Sequence, residues 1–197
     1  MRNRWYVPFV RSVQNHPVYY AVWFFLFIGG ISCGFHTIRL FAQSDSFAFT
    51  SAITTWLDGY VYHQKDFLGL LLSSVLLHGR WMLMLMLSGL FRFGSIFIFA
   101  VPAIRGYEIG STAAMFLVSF GIGGLLSAML ILLFQNFILI PCFAQTGSYA
   151  LIQIQTNHRI HSARYCFHFT FIFFVAAVIM ECSILPLIIG VLGSMYV

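Results

Sequence analysis

Charge is what this chain has least of. Asp, Glu, Lys and Arg together make 8% of its 197 residues, five acids against ten bases, while hydrophobic residues make 60%. A soluble domain carries about 25% charged residues, so a water-facing surface cannot be assembled from this composition, and the mean hydropathy of +0.91 agrees. The bases are scattered rather than gathered on one face, so the net charge of +5 is no sign of a nucleic-acid partner. Cysteine is sparse and unpaired in pattern: Cys33, Cys142, Cys166 and Cys182 lie in or beside apolar stretches with no CxxC, which argues against a disulfide or metal framework. HExxH, GxSxG and a P-loop are all missing, so the chain is read as a non-enzyme without a cofactor. Arg2, Arg4 and Arg11 precede an apolar segment, but that segment is long and lacks a small-x-small site, so no cleavable signal peptide is expected.

What the chain does have is long apolar runs. They predict an all-α fold, a polytopic helical membrane protein of about five transmembrane spans with broken or re-entrant helices, forming a single domain over 1–197. Residues 1–17 form a basic, aromatic head in which Trp5, Tyr6 and Phe9 can lie in the interface while the arginines meet anionic membrane lipid. The first span is placed at about Val18 to Leu40, with Tyr19, Tyr20 and Trp23 at its start as an interfacial belt. Residues 41–66 form the longest polar segment. Within it Phe49, Ile53 and Trp56 recur at helical spacing, which suggests a helix lying on the membrane and a surface for a partner. Residues 67–79, ending at His78-Gly79-Arg80, are read as a short re-entrant or interfacial piece.

The central stretch, Gly94 to Tyr149, is apolar but interrupted by Pro102, Arg105-Gly106, Gly121 with Gly123 and Gly124, Gln135-Asn136 and Pro141. Read as breaks, these place a second span at Trp81–Ile104, a third at Tyr107–Phe120 and a fourth at Gly124–Gln145; breaks within a bilayer need neighbouring helices to satisfy the freed backbone. A basic linker, 152–166, leads to a fifth span at Phe167–Gly190. With the N-terminus inside, Arg2, Arg4, Arg11, Arg105, Arg159 and Arg164 fall on the inner side, against Arg39, Lys65 and Arg80 outside. That bias predicts a cell-membrane protein with a cytoplasmic N-terminus.

Few residues carry candidate chemistry. Arg92 falls near the middle of the second span as placed, and Glu181 well inside the fifth. A charge at the bilayer centre costs at least about 2.5 kcal/mol, so the two are expected to face the bundle and pair. Gln135 and Asn136 are adjacent amides that could line a substrate site, or could bond to carbonyls freed near Pro141. His158 and His161, three apart, are more simply a basic linker at lipid headgroups than a metal site, and Cys33 with His36 a polar packing contact.

Two stretches resemble a known family. Phe134-Gln135-Asn136-Phe137-Ile138-Leu139-Ile140-Pro141 is similar to the QN-apolar-IP stretch of the stage II sporulation protein M family. Arg105-Gly106-Tyr107-Glu108-Ile109-Gly110 resembles that family's basic-Gly-x-x-x-Gly turn between spans, and Gly29, Gly30 and Gly34 before a polar outer segment also fit. Phe134 stands where proline is expected before Gln-Asn, and Arg92 breaks the second span. The resemblance implies a multi-pass membrane scaffold of sporulation engulfment. Such a scaffold sits in the septal or engulfing membrane and recruits the peptidoglycan-degrading stage II sporulation proteins D and P. A small permease component using Gln135, Asn136, Arg92 and Glu181 is the alternative, and a homo-oligomer is compatible with either.

Overall fold

A computed structural model of the chain describes residues 16–42, 50–51, 53–55, 67–91, 93–156, 170–184 and 186, side chains at 67, 133–135 and 156 excepted. The described residues are helical apart from turns. Four elements organise them: α1, Pro17–Ala42; α2, Phe67–Ser88; α3, Ser95–Thr156; and α4, Thr170–Ile184. Four stretches are long and apolar enough to cross a membrane: Pro17–Ala42, Leu68–Ser88, Ser95–Leu132 and Asn136–Gln155. Thr170–Ile184 is apolar but shorter.

The long helix α3 is a hairpin. Gly121 has φ 64°, ψ −149°, a left-handed conformation that glycine adopts without the penalty a Cβ carries. Across it, a Cβ on Gly124 would strike the carbonyl of Phe116, and Gly147 lies against Ile98. In a straight helix Ile98 and Gly147 would be about 70 Å apart at 1.5 Å per residue, so the arms 95–120 and 122–156 must run antiparallel. Of the breaks expected from sequence within 95–156, this is the one that turns the chain. Pro102 and Pro141 both sit inside helix, and so does Arg105-Gly106. Each proline removes one backbone donor, which neighbouring helices allow.

The expected second span, Trp81–Ile104, is therefore corrected. Its first part belongs to α2, which starts at Phe67 and absorbs the supposed re-entrant piece 67–79. The chain turns through 89–94, where Leu90 bonds back to Leu87, Phe91 to Ser88 and Gly94 to Phe91, each through its backbone N–H. Gly94 fits there because any Cβ would enter the backbone of Ser88. The supposed third span is the continuation of the first arm of α3. His78-Gly79-Arg80, taken as the end of a short segment, thereby becomes the middle of α2.

α1 packs on α3 along Tyr19, Trp23, Phe27, Gly30, Gly34 and Ile38, a buried stripe at helical spacing. Tyr19 and Trp23 thus turn into the core rather than out to an interfacial belt. The Tyr19 hydroxyl donates to the carbonyl of Ala144 at 3.1 Å. Farther along, the helices approach backbone to backbone. A Cβ on Gly30 would meet the Ala103 carbonyl, on Gly34 the Tyr107 carbonyl, on Gly106 the Phe27 carbonyl and on Gly110 the Ile31 carbonyl. Two small-xxx-small pairs, one per helix, thus interlock. In lipid, where tails are as apolar as leucine, such close packing is a main source of helix association.

On its other side α3 carries α2, and α2 carries α4. Thr146 on the second arm of α3 donates to the Met82 sulfur at 3.4 Å, and Gly89 abuts Ala150. Cys182 and Ser74 are 3.8 Å apart, and Phe174 lies near Gly79, so α4 runs antiparallel to α2. The main core joins all four elements around Leu85, Ile98, Val101, Leu139, Phe143 and Val178. A smaller cluster at the hairpin tip holds Phe116, Ala128, Ile131 and Ile53.

Candidate functional site

The middle of α2 places His78 on the face turned towards α3 and α4, where it is 1% exposed. It lies about ten residues from the end of α2 at Ser88, and Arg105 lies about ten residues from the start of α3 at Ser95. Both ends meet at the turn 89–94, so both side chains sit about 15 Å from the same end of the bundle at 1.5 Å per residue. This common depth brings together three elements through one imidazole.

A continuous ionic chain results. Glu181 of α4 contacts His78, Oε2 to Nε2, at 3.1 Å. The other ring nitrogen, Nδ1, is 2.7 Å from Arg105 Nη2. Arg105 Nη1 donates to Glu108 Oε2 at 2.7 Å, one turn along the same helix. Glu108 Oε1 in turn faces Arg80 Nη2 at 3.7 Å, which returns the chain to α2. Arg105 also stacks its guanidinium over the Phe143 ring of the second arm, 5.3 Å from the centroid. Glu181, His78 and Arg105 are buried, and Arg80 at the far end is exposed.

The donor inventory fixes the imidazole. A guanidinium has five donors and no acceptor, so His78 Nδ1 must accept from Arg105. The neutral ring then carries its hydrogen on Nε2, the nitrogen beside Glu181. Two arginines and two glutamates balance, with a neutral histidine as coupler. The same logic restricts the chemistry: a guanidinium keeps its protons at physiological pH, so Arg105 interrupts any proton path from Glu181 to Glu108. As arranged, the chain holds helices together better than it conducts protons.

The residues expected to matter fall out as follows. Glu181 is buried in this chain, while Arg92, its expected partner, lies outside the described residues. Asn136 is buried and donates through Nδ2 to the Leu132 carbonyl at 2.9 Å, four residues back. That is its own helical turn, not the gap at Pro141, whose missing N–H concerns the Phe137 carbonyl. The side chain of Gln135 lies outside the described residues. Pro141 is exposed on the second arm. Ile53 is 7% exposed and packed against Phe116, Ala128 and Ile131, so this side chain is used within the chain rather than offered to a partner. Phe49 and Trp56, expected to share that role, lie outside the described residues, as do His158 and His161. His78 and Arg105 were missed as a pair. In the sequence His78 marks a segment boundary and Arg105 a loop charge, and only the spacing of each from the turn at 89–94 signals that they share a depth.

The resemblance motif Arg105–Gly110 proves helical rather than a turn. Arg105 supplies the ionic chain while Gly106 and Gly110 supply the crossing with α1. No family model, no curated protein and no solved structure matches this chain.

Proposed function

We propose that the chain is a multi-pass membrane protein that acts as a non-enzymatic scaffold, holding a partner at the membrane rather than moving a solute. The observation that carries this reading is the ionic chain: the mid-bundle charges Glu181, Arg105, Glu108 and Arg80 are balanced by one another and tie α2, α3 and α4. Intramembrane charges commonly mark transport paths, but a path needs groups that exchange their ligands, and Arg105 blocks proton passage at the centre. The resemblance of Arg105–Gly110 and Phe134–Pro141 to the stage II sporulation protein M family directs the proposal further. In it, the scaffold serves engulfment at the septal membrane, and its partners are the peptidoglycan-degrading proteins D and P.

The orientation goes with it. When α2 is a full crossing, Arg92 falls by its place in the chain at the turn between α2 and α3. The inner side then holds Arg2, Arg4, Arg11, Arg92, Arg159 and Arg164 against Arg39 and Lys65 outside, six to two, with Arg80 and Arg105 at mid-depth. This is a clearer inside bias than the sequence spans alone produced, and it supports a cytoplasmic N-terminus.

The test is affinity capture of the tagged chain from detergent-solubilised membranes of sporulating cells. Co-purification of a peptidoglycan hydrolase is expected. Capture without a hydrolase, together with solute uptake by the purified chain in liposomes, would replace the scaffold by the permease reading.

A further inference from the structure

We infer that the outward face of α2 is the seam of a symmetric homodimer, closed at its centre by Arg80 and Glu108 exchanged between two copies. The inference rests on the reading that these helices cross a membrane. Leu76, Arg80, Leu83 and Leu87 follow one another at spacings of four, three and four, a narrow stripe of the kind that forms helix–helix seams. All face away from the bundle: Leu76 is 63% exposed, Leu83 60% and Leu87 45%, and the Arg80 side chain is 59% exposed.

Leucines on such a face suit lipid, but a guanidinium does not. Lipid exposure of an arginine at mid-depth costs at least about 2.5 kcal/mol, and its intramolecular contact to Glu108 is long, 3.7 Å, with the Glu108 side chain itself 35% exposed. Arg80 lies about eight residues before the end of α2 at Ser88, about 12 Å in at 1.5 Å per residue, and its guanidinium is turned towards Glu108. Glu108, towards which Arg80 points, lies about thirteen residues into α3, about 20 Å from its start at 1.5 Å per residue. Within one copy, among the described residues, Arg80 has only this long contact and the Trp81 ring, 5.2 Å from its guanidinium carbon, while Glu108 is shared with Arg105, so a second, closer carboxylate at this depth would be favourable.

The pair itself identifies the occupant. A donor and an acceptor of opposite charge, side by side on one exposed face, form a self-complementary patch. A two-fold axis beside it sets Arg80 of one copy against Glu108 of the other, and the reverse, with no further residue required. A single polar position within an apolar stripe also fixes the register of the two α2 helices.

The experiment uses the full chain in membranes, with Cys33, Cys142, Cys166 and Cys182 changed to alanine. On a two-fold seam a residue meets its own equivalent, so Leu83→Cys should give an oxidant-dependent dimer several-fold more abundant than Phe25→Cys on the far face of α1. Adding Arg80→Glu should abolish that dimer. Co-expression with a Glu108→Arg chain of different size, also bearing Leu83→Cys, should restore it as the mixed species only. Equal crosslinking of Leu83→Cys and Phe25→Cys overturns the dimer, as does a crosslink only to a different protein. Loss of crosslinking with Arg80→Glu that also removes the chain's protease-resistant core overturns the role given to the charges. The same membranes are washed in alkaline carbonate. A retained but monomeric chain sinks the dimer alone, whereas a released chain sinks the membrane reading beneath it.

Discussion

His78 accepts a hydrogen bond from Arg105 at 2.7 Å and contacts Glu181 at 3.1 Å through its other nitrogen, so one neutral ring joins α2 to both α3 and α4. The ring lies between a cation and an anion, accepting from Arg105 at Nδ1 and holding Nε2 3.1 Å from Glu181 Oε2. Removing it should take from Arg105 Nη2 its acceptor on α2 and from Glu181 its contact with that helix, while Arg105 keeps Glu108. Leaving a buried donor or acceptor without its partner costs about 1–3 kcal/mol, and more for a charged group, so His78→Leu should lower the folded fraction recovered in detergent. Glutamine can accept at Oε1 and donate at Nε2, and His78→Gln should recover most of it. Wild-type melting behaviour of His78→Leu, read by size-exclusion after heating, would remove the ring from this role.

Coupling between residues gives the second prediction. In a double-mutant cycle, His78→Leu and Glu181→Leu should be less damaging together than the sum of the singles, by more than about 0.5 kcal/mol, the level at which contacting residues depart from additivity. Arg92→Leu with Glu181→Leu provides the comparison. A larger coupling there than with His78 would return Arg92 to the partnership expected from the sequence.

The α1–α3 crossing predicts a sharp contrast between neighbouring glycines. Gly106→Ala would drive a methyl group into the Phe27 carbonyl, and neither backbone can move without the other. Overpacking of this sort costs typically about 1–3 kcal/mol. Gly29→Ala meets nothing within 4 Å and should leave thermal stability unchanged. Equal effects of the two, measured by thermal shift in detergent, would contradict the interlocked crossing.

Labelling tests the course of the chain. The hairpin puts Gly121 and the end of α1 at one end of the bundle, with the end of α3 at the other. In a cysteine-free background, Ser44→Cys and Ile122→Cys should react with an impermeant thiol reagent in intact cells, and Thr156→Cys only after permeabilisation. Labelling of Thr156→Cys in intact cells would invert the topology.

The glycine at the hairpin tip supplies a last prediction. Gly121→Ala forces a Cβ into a positive-φ, extended-ψ region that is essentially glycine's alone, which costs roughly 1–3 kcal/mol, and nothing lies within 4 Å to add a clash. A modest drop in stability with unchanged labelling at Ile122→Cys is expected. A rise in stability would mean that the arms prefer a straight helix at this point.

By itself the sequence determined the class of the fold. So few charges and such long apolar runs leave helices as the secondary structure, because a helix satisfies its own backbone polar groups. It also marked Glu181 as out of place, and the small residues as contact points. What it could not determine was which interruption turns the chain. Pro102, Gly106, Gly121 and Pro141 carry similar local signals, yet proline and glycine are tolerated within a helix when neighbours cover the gap, and here only Gly121 takes positive φ in the middle of α3. Because the breaks were ambiguous, so were the depths. His78 read as the end of a short segment and Arg105 as a loop residue, whereas the hairpin and the full length of α2 set both at one level. Pairing of charges depends on depth and facing, and both are properties of how helices dock. The ionic chain therefore exists only in the tertiary structure, although every residue in it was visible in the sequence.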